Sequence, residues 1–235
     1  MKNIVVLINE LSEIEPVLEK GANEIVMGIK DYTFSAIKKH SIDDMRNHSV
    51  LMNRFYFPNE MDLLKQQLKD LKERNVNHIY FCDPSVYYYA KDLDLVNHLI
   101  YKPDTLTVSA NDVAFWKERG IYTSSLSPLI TEEETDKILD EAENVEVTIH
   151  GHILMSASKR QLLSSYFEDS KQPVQQEKVF YLKEMKREDL MPIYEDDLGT
   201  YIYSDFVLNS FEEITSFHTD RFFIDGIFLS TDELS

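Results

Sequence analysis

The sequence predicts an α/β fold, a (β/α)8 barrel of the TIM type, on three observations. Short apolar runs alternate with amphipathic stretches, the alternation recurs eight times, and no linker-like segment breaks the chain in two. Strands that alternate with helices must pair in parallel through helical crossovers, and eight such units point to a sheet that closes on itself. A doubly wound open sheet is the alternative the same pattern allows.

The units follow in order. Residues 4–8 form the first apolar run, before a helical stretch at 12–21, and residues 24–29 the second, before a helix-like stretch around 42–47. Residues 50–57 precede a helix over 59–75 in which Met61, Leu63, Leu64, Leu68 and Leu71 share one face. Residues 78–82 precede a helix over 84–99. Residues 105–109 precede one over 111–120, with Asn111 as its N-cap and Gly120 as its stop. Residues 121–126 precede a helix over 131–144, opened by a capping box from Thr131 to Glu134. Residues 145–149 lead to a cationic helical segment over 159–167, and residues 221–229 form the eighth run. The stretch from about 170 to 205 breaks the rhythm and reads as a β-rich insertion before the last strand, within a single domain spanning 1–235. Little follows the eighth strand. A closing helix would begin near Thr231, which points to a shortened chain or to closure by another subunit.

Composition narrows the function. Forty-three per cent of the residues are hydrophobic, enough for one sizeable core, and six Gly with seven Pro leave no flexible linker. The formal charge of -18, from 24 basic against 42 acidic residues, repels phosphate backbones and anionic lipid surfaces and disfavours broad nucleic-acid binding by the chain alone. The single cysteine, Cys82, excludes an internal disulfide, and excludes a cysteine-ligated zinc or iron–sulfur site without help from another chain. The amino terminus offers only five consecutive apolar residues, Ile4 to Ile8, too short for a signal-peptide core, and no run approaches membrane-spanning length. The expectation is a cytoplasmic protein with no membrane association.

A parallel barrel builds its site from the carboxyl ends of its strands. Those positions give Asn53 and Arg54, Cys82 and Asp83, Ser109 and Asn111, His150 and Gly151, and Asp225 and Gly226. Lys159, Arg160, Glu195 and Asp196 join them from neighbouring segments. His150 has the chemistry of a proton carrier near neutral pH, and Lys159 with Arg160 that of a carboxylate or phosphate clamp. Each has a plainer reading: a hydrogen-bonded strand-end histidine, a solvated cationic pair, an acidic turn at Glu195–Asp197, a turn cap at Asp225 and a buried, inert Cys82 thiol. No serine-hydrolase elbow, phosphate-binding glycine loop or HExxH zinc helix is present, and no metal site is assigned.

Several motifs together carry a resemblance. His150-Gly151 at a strand end, Ser158-Lys159-Arg160, Tyr166-Phe167-Glu168, residues 195–202 and Phe223-Ile224-Asp225-Gly226 stand in the order found in peptidase family U32, the collagenase-like proteases. Residues 82–86 and the spacing of Asn111, Phe115, Trp116 and Gly120 fit as well, so the likeness runs from about Asn3 to Leu229. Within the family the chain resembles the shorter member of the paired proteins of bacilli and their relatives. The resemblance implies a barrel-like domain and, from the better understood members, oxygen-independent hydroxylation of tRNA wobble uridine, ribosomal RNA or ubiquinone precursors. Those members hold an iron–sulfur cluster on four cysteines, the first three residues after His-Gly. Here that position is Leu154, and the next aligns near Gln161. The resemblance therefore implies a chain without the cluster, partnered by a four-cysteine U32 paralogue and reaching tRNA through the complex. His150 and Asp225 are the candidate catalytic residues, and Asn53, Asp83, Asn111, Lys159, Arg160, Glu195 and Asp196 the candidate ligand-binding set. In the subunit reading the strand-end residues shape a ligand or RNA pocket, and Glu195, Asp196 and Asp225 organise loops rather than catalyse. A collagenase-like peptidase and a catalytically inactive anion- or ligand-binding module are the rival readings.

Overall fold

The structure, a computed structural model, describes residues 2–45, 47–171, 179–183, 185 and 188–234. In chain order its strands are β1 (Asn3–Ile8), β2 (Glu24–Gly28), β3 (Ser49–Met52), β4 (Ile79–Phe81), β5 (Leu99–Tyr101) and β6 (Thr123–Ser125). There follow β7 (Val145–Ser158), β8 (Val179–Lys183), β9 (Leu190–Asp196), β10 (Gly199–Asn209) and β11 (Arg221–Asp225). The α-helices are α1 (Ile14–Glu19), α2 (Met61–Glu73), α3 (Pro84–Ala90), α4 (Ala110–Lys117), α5 (Glu132–Glu141) and α6 (Leu162–Ser170). The chain divides into two compact units, one drawn from Met1–Gly151 and Asn209–Ser235 and the other from His152–Leu208.

The first unit is the expected barrel. Each strand from β1 to β7 pairs in parallel with the next, and β11 pairs in parallel with both β1 and β7. That double pairing closes the sheet and excludes the open, doubly wound arrangement. Side chains alternate between the two faces of each strand. One set, including Val6, Ile8, Met27, Val50, Met52, Phe81, Val147, Phe222 and Ile224, joins Leu64, Leu68 and Leu71 of α2 and Trp116 of α4 in an outer core. The other set, including Val5, Leu7, Val26, Leu51, Tyr80, Ile100 and Phe223, is equally buried and fills the lumen.

The floor of the lumen is ionic. Arg221, the first residue of β11, donates to Glu146 Oε2 at 2.9 Å, to Glu24 Oε2 at 2.7 Å and to the Tyr80 hydroxyl at 2.6 Å. Tyr80 in turn donates to Glu146 at 2.9 Å, and His78 Nδ1 lies 2.8 Å from Glu24 Oε1. These residues stand at the starts of their strands, the end of a barrel that serves stability.

The structure corrects four local readings. Strand five is Leu99–Tyr101, not residues 105–109, because α3 stops at Ala90 and the chain turns through a left-handed Asp94 (φ 56°) before re-entering the sheet. The alternating residues 105–109 form a loop in which Leu106 is 66% and Val108 49% exposed. Its last residue, Ser109, rather than Asn111, caps α4 by accepting the amide of Asp112. After β2 there is a three-residue 3-10 turn, Ile42–Asp44, which Met45 ends by going extended. On α2 the buried face is Leu64, Gln67, Leu68 and Leu71, while Leu63 is 43% exposed. Gln67 is tolerated there because Tyr56 donates to it at 2.7 Å and it donates to Asp31 O at 2.9 Å.

The capping box on α5 forms as the sequence predicts: Glu134 N donates to Thr131 Oγ1 at 3.3 Å, and Thr131 N donates to Glu134 Oε2 at 2.8 Å. Thr131→Ala removes one half of it. The expected cost is about 1 kcal/mol, read as a fall in Tm of roughly 2–4 °C by circular dichroism.

In the second unit β7 runs on past Gly151 and has β10 as its neighbour, with β9 and β8 following in antiparallel order. Strands β8 to β10 are the β-rich character expected at about 170–205; residues 172–178 of that stretch lie outside the described residues. Among the described residues no helix is long and apolar enough to cross a membrane.

Candidate functional site

Alternation along the strands brings a set of polar side chains to the carboxyl end of the lumen: Asn53 after β3, Cys82 after β4, Lys102 after β5, Thr148 on β7 and Asp225 at the end of β11. Lys102 is only 3% exposed. Its Nζ lies 3.4 Å from Thr148 Oγ1, 3.5 Å from Asp104 Oδ1 and 4.3 Å from the centroid of the Phe223 ring. Phe223 is the register partner of Thr148, and Asp225 follows it by two residues on the same face. Burial pushes the Asp225 carboxyl up to about 6, with Asp104 adding to the rise; the Lys102 charge and the Ile227 N–H, 3.1 Å from Oδ1, oppose it.

The two glycine pairs of the sequence have a steric cause. Gly151 has φ +126°, and a Cβ there would lie 2.3 Å from the carbonyl oxygen of Asp225. A Cβ on Gly226 would lie 2.1 Å from Leu7 O, to which Gly226 N donates at 3.1 Å. Strands β7, β11 and β1 thus meet backbone to backbone around Asp225, where only glycine fits.

His150 takes a different position from the one alternation predicts. The β7–β11 register shifts, so that Phe223 faces Thr148 but Ile224 faces His150. The His150 ring packs on Phe211 at 5.0 Å between centroids. Thr148 is therefore the β7 side chain beside Lys102.

Other expected site residues hold loops. Asn53 is buried; its Oδ1 accepts the Phe34 amide at 2.9 Å and its Nδ2 donates to Ser35 Oγ at 2.8 Å. Asp83 caps α3, accepting from Ser85 N and from Tyr56 N, both at 2.8 Å. The Cys82 thiol donates to Asn53 O at 3.1 Å, and burial, with Asp104 and Asp83 nearby, pushes its pKa well above the ordinary value. Asn111 is exposed in the first turn of α4, not at a strand end.

Lys159, Arg160, Glu195 and Asp196 belong to the second unit. Lys159 and Arg160 precede α6 rather than forming its start, since β7 extends to Ser158 and α6 begins at Leu162. Glu195 supplies the cap that Gln161 does not: its carboxylate accepts Leu163 N at 2.7 Å, Ser164 N at 3.0 Å and the Thr200 hydroxyl at 2.7 Å. Burial alone would raise the Glu195 pKa, but the donors from Ser164, Thr200 and Leu163 bring it below the ordinary value. Asp196 closes the β9–β10 turn, accepting Leu198 N at 2.9 Å and the Tyr201 hydroxyl at 3.0 Å. Both acidic residues thus spend their oxygens on the protein itself.

The residue that sequence reasoning missed is Lys102. Its signal was the apolar triplet Leu99-Ile100-Tyr101 followed by Lys-Pro, obscured because the triplet reads as the tail of a helix.

Comparison with known proteins agrees with the sequence resemblance. The model of Peptidase family U32 matches residues 9–234. The chain is also similar to the "tRNA hydroxylation protein P2" of Bacillus subtilis (strain 168), 25% identical over 236 residues that cover 92% of this chain and 76% of that protein. No solved structure matches.

Proposed function

Since the chain belongs to peptidase family U32, we propose that it is a cluster-free cytoplasmic subunit of a tRNA wobble-uridine hydroxylation enzyme, working with a four-cysteine paralogue. The observation that carries this reading is the mismatch between the barrel and the family's cluster. The site end of the barrel is furnished with polar groups, yet the residues do not fit an iron–sulfur centre. Such a centre takes four thiolates, and this chain has one cysteine. Cys82 hydrogen-bonds to Asn53 O and is biased toward the protonated thiol. Leu154, where the first ligand would stand, is part of β7. Electron transfer is therefore assigned to the partner, and binding and orientation to this chain.

The same facts weigh against the peptidase reading. A raised thiol pKa is the opposite of what a cysteine nucleophile needs. The anion-binding module would rest on Lys159 and Arg160, which stand in the second unit between the end of β7 and the start of α6.

Deleting the gene in the source organism is expected to abolish 5-hydroxyuridine and its derivatives in tRNA, read by mass spectrometry of nucleosides. A tagged copy is expected to recover a four-cysteine paralogue in stoichiometric amount. Unchanged 5-hydroxyuridine in the deletion strain would overturn the assignment.

A further inference from the structure

We propose that Lys102 and Asp225 form a recognition pair for the imide edge of a uracil base at the carboxyl end of the barrel. The choice of base rests on the tRNA-hydroxylation reading; the donor–acceptor chemistry rests on the pair itself.

A lysine ammonium carries three donors and no acceptor, and burying one is costly unless it meets compensating groups. Lys102 is buried, but its contacts to Thr148 and Asp104, at 3.4 and 3.5 Å, lie beyond the usual hydrogen-bond range. It lies over the Phe223 ring and beside the Asp104 carboxylate, and none of its contacts is a short hydrogen bond. Asp225 is half-buried on the same face, two residues beyond Phe223, and Asp104 is half-buried beside the ammonium.

That charge arrangement selects among ligands. A free anion drawn to Lys102 would meet two carboxylates, Asp104 and Asp225, against one ammonium. A neutral group that presents an acceptor next to a donor meets the opposite situation: the ammonium donates to its carbonyl oxygen, and a carboxylate accepts its N–H. The O4 and N3–H of uracil are such an edge. Cytosine presents the reverse, an amino donor beside an unprotonated ring nitrogen, and would set donor against ammonium and acceptor against carboxylate. Methylation of uracil N3 removes the donor and adds bulk.

The test is saturation-transfer NMR on the full-length chain with uridine, cytidine and N3-methyluridine as probes, and with acetate as competitor. Uridine is expected to bind about tenfold or more tightly than either of the other two, the discrimination a paired donor and acceptor give between bases. Lys102→Met keeps the apolar stem and is expected to erase that preference, with its melting curve confirming the fold. The comparison of the three nucleosides on the unaltered chain needs no variant. Equal binding of all three, no detectable uridine binding, or displacement of uridine by acetate would overturn the proposal. Uridine preference together with unchanged 5-hydroxyuridine in the deletion strain would sink the functional reading and leave the pair standing. The converse result would sink the pair alone.

Discussion

Arg221→Met is expected to lower the free energy of unfolding by about 3–5 kcal/mol, the usual penalty for removing one partner of a buried ion pair. The guanidinium is the only cation in contact with both Glu24 and Glu146 among the described residues, and the Glu146 side chain is 0% exposed. Removing the charge leaves two carboxylates and the Tyr80 hydroxyl facing one another at the bottom of the lumen. Acid should act in the same direction. Burial on its own would raise the Glu24 pKa, but the His78 hydrogen bond, the Arg221 charge and the Ser49 hydroxyl hold it at about 2. Its folded-state value is thus below the ordinary 4.5, so its contribution is present above that value and is lost as the pH falls toward 2. With Arg221 replaced, Glu24 titrates closer to its ordinary value, and the loss of stability on acidification should shrink. Urea denaturation of both proteins at neutral pH and near pH 4 measures both effects. A variant as stable as the parent would show that the floor is not held by this network.

The barrel was legible because its signal is distributed. Eight apolar runs separated by amphipathic stretches survive an error in any one of them, and seven of the eight strands lie where the runs lie. Strand five failed for a local reason. Leu99–Tyr101 has three residues and directly follows the 3-10 turn Val96–His98, so it carries no periodicity of its own. The better-looking alternation of Thr105, Leu106, Thr107, Val108 and Ser109 reflects a loop that leads into a helix cap. That single misplacement moved the site, since it put Asn111 at a strand end and hid Lys102. Asp225 was legible because a glycine follows it at the end of a clear apolar strand. His150 was visible for the same reason. Its turn toward Phe211 was not, because a register shift in the β7–β11 pairing reverses the face a side chain takes without leaving a mark in the composition. Glu195 and Asp196 looked like ligands for want of their partners, the amides of α6 and of the β9–β10 turn, which only the fold brings to them.

The second large effect is expected from Gly151→Ala, with a loss of about 3–5 kcal/mol made up of backbone strain and overpacking. At φ +126° an L side chain is strained before any neighbour is considered. The added methyl would then lie 2.3 Å from Asp225 O and 2.8 Å from Asp225 Cβ, and neither can retreat easily. The Asp225 backbone belongs to β11, which is bound to β1 on one side and to β7 on the other. Gly21→Ala separates the two causes. Gly21 has φ +113° with nothing within 4 Å of the place a methyl would take, so it carries the strain without the clash. Its expected cost is about 1 kcal/mol. Thermal and urea unfolding of the two variants should therefore differ by several-fold in lost stability. The Gly151 variant should also lose uridine preference under conditions where it remains folded, because the displaced group is the Asp225 segment itself. Equal destabilisation by the two substitutions would mean that β7 and β11 can separate at no cost. The His-Gly and Asp-Gly pairs would then have to owe their presence to something other than this close approach.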